Sequence, residues 1–201
     1  MQFSEWFSIV EQSVTCVAPH EKIHVEEPIR FPDGGMLFKK PLYIAAHAVS
    51  VKQAAVHAFE ADHPEDFYQF SVGIASQLST VTPEKVFRNT EREGKYSTHW
   101  PASTRIEAEW RDCCSRYDRL LSRQGFNPVV VAADIEQMVI YEKGPFVACN
   151  TWAGKLIAGA ILKQNGFAPP KIVSKAAHDA SLKEFKSWVT YYESLVQPFA
   201  R

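Results

Sequence analysis

The chain has 201 residues with 22 basic and 23 acidic side chains, a length that accommodates one domain with a sizeable core. Its near-neutral charge shows no long run of one sign, so neither a nucleic acid nor an anionic membrane is expected as a partner. The four cysteines, Cys16, Cys113, Cys114 and Cys149, lack the spacing of a zinc site or a disulfide framework.

The N-terminal stretch MQFSEWFSIVEQ contains Glu5 and lacks the basic segment and continuous apolar run of a secretory signal. The longest apolar runs, VVVAA and LIAGAIL, are much shorter than the roughly 20 residues that span a bilayer. A soluble protein of the reducing cytoplasm is therefore expected.

Residues 3–14 carry apolar side chains at helical spacing, which predicts a short amphipathic helix capped by Ser4. Between Pro28 and Pro41 the segment PDGG separates two short apolar runs, a pattern typical of a β-hairpin. A helix is then predicted from about Tyr43 to Phe59. Residues 1–63 are expected to form an N-terminal helix, a small hairpin appendage and the first domain helix, and residues 64–201 a helical core.

Further helices are predicted along residues 64–201. They are expected from Pro64 at the first helical position to Leu78, from Ser103 to Gln124 with Glu107 near capping-box spacing and Gly125 as the stop, and from the Asn127 cap and Pro128 to about Lys143. Between the first two, VFRNTEREGKYSTHW is divided by Gly94 and ends in β-favouring residues, which predicts a hairpin or flap.

The segment TWAGKLIAGAILKQNG is apolar on nearly all sides, so it is predicted to be a buried central helix. The last helix has an apolar stripe that favours core packing over a partner site. The stripe consists of Leu182, Phe185, Trp188, Val189, Tyr192, Leu195 and Val196.

The loop YEKGPFVACNTWAGK leads into this central helix and holds the candidate site. The first N–H groups of a helix and the positive end of its dipole suit a phosphate or a carboxylate. An anion site is therefore predicted around Gly144, Pro145, Asn150, Thr151, Trp152 and Lys155.

The run GPFVACNTWAGKLIAGAILKQNGFAPP resembles the active-site loop and following helix of the Fic family, usually written HPFxDGNGRxxR. EGKYSTHWPASTRIEAEW is similar to the target-docking flap and subsequent helix of that family, and the similarity covers about residues 64–200. It implies a mainly α, Fic-like helical domain with a β-hairpin flap. The flap residues Lys95, Tyr96, Ser97, Thr98 and His99 would dock a target protein.

The departures from the family motif decide what the resemblance implies. Gly144 stands at the place of the base histidine, Ala148 at the magnesium-binding acid, Cys149 at a glycine and Trp152 at a phosphate-binding arginine. Pro145, Phe146 and Asn150 match, and Lys155 stands for the last arginine. Loss of base, metal ligand and cation should leave negligible transfer by the usual route. No metal is expected, and binding of ATP and magnesium should be weak or absent.

Each remaining loop residue has two interpretations. Asn150 is a helix cap or a ligand contact. Lys155 reaches solvent or acts as a point-charge anion ligand. Trp152 fills the vacated nucleotide pocket or stacks on a ring-shaped ligand.

Cys149 offers different chemistry, because a helix N-terminus lowers the pKa of a thiol and the adjacent N–H groups suit an oxyanion. A base would be required, and residue type alone makes His47, His57, His99 and His178 candidates. A buried, inert cysteine is the favoured alternative.

The sequence therefore predicts a Fic-like domain that has left nucleotide transfer, either as a binding module or as an enzyme with a repurposed site. One alternative is a transferase with another phosphate-bearing or anionic substrate at the start of the central helix. The other is a thiol-dependent enzyme that uses Cys149.

Overall fold

The computed structural model describes residues 1–19, 29–30, 36–37, 41–62, 66–89 and 102–199, and for residues 29–30, 36–37 and 41–47 it describes the backbone alone. The described part contains eight α-helices, so the predicted mainly helical architecture is confirmed. The helices are α1 (Phe3–Val17), α2 (Pro41–Glu60), α3 (Phe67–Ser79), α4 (Ile106–Leu121), α5 (Pro128–Gln137), α6 (Asn150–Gln164), α7 (Lys175–Ser181) and α8 (Phe185–Leu195). No helix among the described residues has the length and apolar character needed to cross a membrane.

Helix α6 is the centre of the domain, as its apolar sequence predicts. Every residue from Asn150 to Leu162 is buried, and helices α1, α2, α3 and α5 all pack against it. A helix can be covered on all sides only if nearly all of its surface is apolar. The few polar side chains at its start must therefore find partners inside the protein.

Helix α1 packs on α6 through aromatic side chains. The Trp6 indole is fully buried, and its Nε1–H donates to the carbonyl of Gly159 at 3.3 Å. Phe59 of α2 meets the Trp6 ring edge-on at 5.6 Å between centroids. A Cβ on Gly159 would lie 3.0 Å from Trp6 Cζ2, so this glycine lets the indole approach.

The predicted Asn127 cap is correct, and a cap that the sequence did not predict sets the start of α3. Asn127 Oδ1 accepts hydrogen bonds from the N–H groups of Val129 and Val130, with Pro128 as the first helical residue of α5. Helix α3 begins at Phe67 and not at Pro64, because Asp66 provides the cap and accepts from the N–H of Gln69 at 2.9 Å. A side-chain acceptor therefore sets both helix starts.

Other predicted boundaries are wrong. Helix α1 begins at Phe3, before Ser4, and the side chain of Gln2 at its N-cap makes no capping bond. Helix α4 begins at Ile106 and not at Ser103, and Glu107 in its first turn accepts hydrogen bonds from Tyr68 and Arg111. It ends at Leu121, before Gly125, whose φ of +77° is in the left-handed region.

The apolar stripe near the C-terminus is divided between two elements. Leu182 follows the short helix α7, which the sequence did not predict, and α8 begins at Phe185. Trp188 and Tyr192 are fully buried against α5 and α6, while Phe185 is largely exposed. Core packing therefore explains the centre of the stripe.

Two short strands, β1 (Ile29–Arg30) and β2 (Met36–Leu37), pair antiparallel with Ile29 opposite Leu37. Residues 31–35, which hold the predicted Asp33-Gly34 turn, lie outside the described residues, so the hairpin turn stays a prediction. Most of the predicted flap, including residues 95–99, lies outside them as well.

The sequence predicts that α5 continues to about Lys143, but the α-helix ends at Gln137. From Met138 to Glu142 the backbone is π-helical, and the N–H of Lys143 donates to the carbonyl of Met138 at 2.8 Å. This wider turn places Ile140 against the start of α6, where a Cβ on Gly154 would lie 2.7 Å from Ile140 Cγ1. Gly154 therefore permits the close approach of the two elements.

We expect Gly154→Ala to lower the free energy of unfolding by about 1 to 2 kcal/mol. Overpacking against Ile140 costs about 1 to 3 kcal/mol, and the better helix propensity of alanine offsets roughly 0.5 to 1 kcal/mol. Urea unfolding of Gly154→Ala, Ile140→Ala and the double variant measures the effect. The alanine at position 154 should cost less in the Ile140→Ala background, and an equal cost in both backgrounds would contradict this packing.

Candidate functional site at the start of helix α6

The loop before α6 pairs with the segment that follows α3 through an isolated antiparallel β-bridge. The N–H of Arg88 donates to the carbonyl of Pro145 at 3.0 Å, and the N–H of Val147 donates to the carbonyl of Val86 at 2.8 Å. Phe87 and Phe146 form the bridge between the two segments. The chain that leads toward the predicted flap is therefore attached directly to the candidate site.

Arg88 also contacts the first residue of the loop through its side chain. Its guanidinium Nε–H donates to the carbonyl of Gly144 at 3.1 Å, and the residue is almost completely buried. Gly144 has a φ of +47°, a left-handed conformation that glycine adopts at little cost. The role of Arg88 was not predicted, since nothing in the short segment VFRN indicates that it meets a loop more than fifty residues away.

Asn150 closes the loop and does not cap the helix. Its Oδ1 accepts from the N–H of Phe146 at 3.0 Å, and its Nδ2 donates to the carbonyl of the same residue at 2.9 Å. The N-cap position belongs to Cys149. The predicted cap is therefore wrong, because the buried amide of Asn150 satisfies loop backbone groups that the burial removes from water.

Cys149 enters the helix with a left-handed backbone, at φ +55° and ψ +35°. A residue with a Cβ pays roughly 1 to 2 kcal/mol for this conformation. Thr80 is the other such residue in the described part of the chain. The side chain is partly buried against the main core and makes no capping bond. Backbone strain is thus present where the loop becomes α6.

Trp152 is fully buried, and its ring stacks on Phe7 of α1 with 6.1 Å between centroids and 20° between planes. Phe146 is also fully buried and meets Trp110 of α4 edge-on at 5.7 Å. These contacts place both aromatic side chains in the core. Phe7 therefore covers one face of Trp152, the residue predicted to stack on a ligand.

Lys155 forms an ion pair inside the protein. Its Nζ lies 2.6 Å from Glu136 Oε1 of α5, and the side chains are only 3% and 1% exposed. Tyr192 of α8 donates its hydroxyl to Glu136 Oε2 at 3.2 Å, and burial raises the pKa of Tyr192 well above its usual value. The interpretation in which Lys155 reaches solvent is therefore wrong.

Glu136 was not predicted as a site residue, although its sequence context carries a signal. Lys155 and Glu136 each lie in an apolar helix with one other charged residue, and a charge that is buried requires a partner. Val10, Ser13, Pro169 and Pro170 surround the pair and leave no room beside it for a water molecule.

The histidines proposed as bases have other contacts where their side chains are described. His178 is fully buried, with Nε2 2.8 Å from the Tyr141 hydroxyl and Nδ1 3.2 Å from Asp179. His57 Nδ1 lies 3.2 Å from Gln77 Nε2. The side chain of His47 and all of His99 lie outside the described part, so pairing of a base with Cys149 stays a prediction. In that part, no three His, Cys, Asp or Glu side chains form a group that could hold a metal ion.

Comparisons with solved structures show that the chain has a Fic-like fold. A Fic-domain-containing signalling protein from Bacteroides thetaiotaomicron is 14% identical, with a TM-score of 0.60 over 96% of this chain and 84% of that chain. Fic-1 (residues 134–508) from C. elegans is 14% identical, with a TM-score of 0.66 over 97% of this chain and 61% of that one. This chain therefore spans less than two thirds of the C. elegans chain.

The BepC protein of Bartonella tribocorum, a VirB-translocated effector solved with bound AMPPNP, is also 14% identical. Its TM-score is 0.57 over 89% of this chain and 97% of that one. A scan against protein-family models and a search of curated proteins find no match to the sequence. At these identities the likeness concerns the fold.

Removing one member of the buried ion pair should lower the free energy of unfolding far more than removing both members. We expect Glu136→Leu and Lys155→Met each to lower the free energy of unfolding by about 3 to 5 kcal/mol, because each leaves an uncompensated buried charge. The double variant should be more stable than either single variant. Urea unfolding of the four proteins gives the coupling energy.

The pair Lys143–Glu109, at 3.1 Å and about one quarter exposed, is the control. Its double-mutant cycle should give less than about 1 kcal/mol, since solvent screens the charges. Single variants of the buried pair that cost no more than those of the control would contradict the assignment.

His178 should make the protein less stable in mild acid. Burial and the nearby charge of Lys155 lower the pKa of His178, against the opposing effects of Glu136 and Asp179. The unfolded chain therefore binds a proton more readily than the folded chain. The contribution of neutral His178 to the free energy of unfolding is complete above pH about 6.5, the pKa of a histidine in the unfolded chain. Below that pH the contribution declines by up to about 1.4 kcal/mol per pH unit.

Urea unfolding between pH 5 and 7.5 tests this pH dependence. Wild type and His57→Gln should share a decline that His178→Gln lacks. The comparison between variants is needed because burial raises the pKa of Glu142, and that shift acts on stability in the opposite direction. Equal pH slopes for wild type and His178→Gln would rule out the effect.

Proposed function

We propose that this Fic-like chain is a binding module that does not transfer nucleotides. The observation that carries the proposal is the ion pair between Lys155 and Glu136. Lys155 stands at the place where the Fic motif has its last arginine. A cation that is neutralised at 2.6 Å by a buried carboxylate is poorly suited to hold a phosphate, because the anion would have to displace Glu136 in a water-poor environment.

The other loop residues fit a nucleotide and magnesium equally poorly. Gly144 has no side chain that could act as a base, and Ala148 has no oxygen to offer a metal, which prefers carboxylate ligands. Trp152 stands where the motif has an arginine, and it packs on Phe7 instead of carrying a charge. These residues support loss of the nucleotide site, so no catalytic step through ATP or magnesium is assigned.

The two enzymatic alternatives have less support. An anionic substrate at the helix start would need Lys155, whose charge is already matched by Glu136. A thiol enzyme would need a base close to Cys149, and both ring nitrogens of His178 contact Tyr141 and Asp179. A protein partner on the predicted flap, residues 95–99, is compatible with the proposal.

Thermal unfolding with ATP and magnesium tests the proposal. A ligand at a hundred times its Kd adds about 2.7 kcal/mol, which corresponds to about 5 to 10 °C for a domain of this size. We expect no magnesium-dependent rise in Tm for the wild type at millimolar ATP. A rise of several degrees, abolished by omitting magnesium, would contradict the loss of the site.

A restored variant provides the positive control. Gly144→His, Ala148→Asp, Cys149→Gly, Thr151→Gly and Trp152→Arg recreate the motif, and Glu136→Gln in the same protein releases Lys155. Loss of the buried indole and loss of the carboxylate that matches Lys155 could each cost about 3 to 5 kcal/mol, so circular dichroism must first show a folded protein. A gain of ATP binding would show that side chains alone closed the site.

A further inference from the structure

A groove of about 930 Å³ lies between α2 and the start of α3, away from the loop described above. Its apolar lining includes Val49 and Val56, which are 56% and 37% exposed, and the buried ring of Phe70. Small-molecule sites commonly have volumes of about 300 to 1,000 Å³ and mostly apolar walls. The groove has the dimensions and the lining of such a site.

One stripe of α2 forms a long wall of this groove. Val49, Lys52, Gln53, Val56 and Glu60 recur at spacings that place them on the same face of a helix. That face carries the two exposed valines, whereas the other side of α2 packs on α6. An amphipathic helix normally turns its apolar residues inward, so exposed valines facing a concave surface indicate a ligand.

The histidine in the wall is held in place by its neighbours. The ring of His57 meets Phe70 edge-on, with 5.8 Å between centroids, and its Nδ1 lies 3.2 Å from Gln77 Nε2. A Cβ on Gly73 would lie 3.0 Å from His57 Cε1, so this glycine of α3 makes room for the ring. The wall is therefore preformed, which lowers the entropy cost of binding.

Charge distinguishes one end of the groove from the other. Glu60, Asp62 and Asp66 line the end where α2 finishes and α3 begins, and Lys52 lies about 12 Å away along α2. The C-terminus of α2 adds the negative end of its helix dipole. Lys163 is 3.9 Å from Asp62, whose side chain remains mostly exposed. The lining thus combines an apolar wall with an acidic end.

We propose that this groove binds a small amphipathic cation. Its apolar body lies along Val49, Val56 and Phe70, and its ammonium or guanidinium group faces Glu60 and Asp62. A protein partner is less well suited, because a stable interface buries about 800 Å² on each side and the described side chains of this face include two exposed valines. The proposal does not depend on whether the loop before α6 transfers nucleotides.

Paired probes that differ only in the sign of their charge test the proposal. The full chain, labelled with nitrogen-15, is titrated with octylammonium chloride and, separately, with sodium octanoate below their micellar concentrations. Octylammonium should shift amide signals of α2 and the start of α3 in a saturable manner. Its Kd should be about threefold to tenfold lower than that of octanoate, as expected for two exposed carboxylates.

Variants connect the binding to the groove. Val56→Asp should weaken octylammonium binding at least tenfold, and Val49→Asp provides the same test if the first variant does not fold. Val173→Asp is the matched control, since Val173 is 72% exposed and does not line the groove; it should change nothing. Glu60→Gln with Asp62→Asn should abolish the preference for the cation while octanoate still binds.

Three results would overturn the proposal. Octanoate could bind as tightly as octylammonium, or the shifts could be spread over the whole surface in wild type and Val56→Asp alike. Sedimentation could instead show a wild-type dimer that Val56→Asp converts to a monomer. The occupant would then be a second copy of the chain.

Discussion

The ammonium group of Lys155 is buried in the central helix, and its charge must be matched inside the protein. Glu136 of α5 provides the carboxylate at 2.6 Å, and Tyr192 of α8 donates to the second carboxylate oxygen. The Glu136 carboxylate of α5 therefore contacts both Lys155 of α6 and Tyr192 of α8. The cost of an unpaired charge in this environment makes the relative position of these helices specific.

The loop before α6 satisfies much of its hydrogen bonding within the same chain. Asn150 bonds to both backbone groups of Phe146, and Arg88 donates to Gly144. The strained backbone of Cys149 completes the turn into the helix. These contacts connect the loop to its own chain at Gly144, Phe146 and the start of α6.

The two regions of interest have opposite character. At the start of α6 the aromatic and charged side chains face one another, with Trp152 on Phe7 and Lys155 on Glu136. At the groove beside α2, apolar and acidic side chains face solvent. A ligand gains hydrophobic free energy by covering apolar surface that is otherwise in contact with water. The groove exposes such surface, whereas the aromatic side chains at the start of α6 are already buried. The Fic-like scaffold is compatible with both arrangements, because function depends on sites and not on the fold.

By itself the sequence determined the helical class, the buried nature of α6, the Asn127 cap and the location of the distinctive loop. These features follow from apolar periodicity and local capping, which depend on neighbouring residues alone. The tertiary structure decided what the polar residues do. Asn150 closes a loop, Lys155 meets Glu136, and Arg88 reaches Gly144 from more than fifty residues away. The pairings of Lys155 and Arg88 join different segments of the chain, and local patterns do not tell which segments the folded backbone brings within hydrogen-bonding distance. Asn150 bonds to a residue only four positions away, but its role depends on the path of the loop, which local capping preferences do not define.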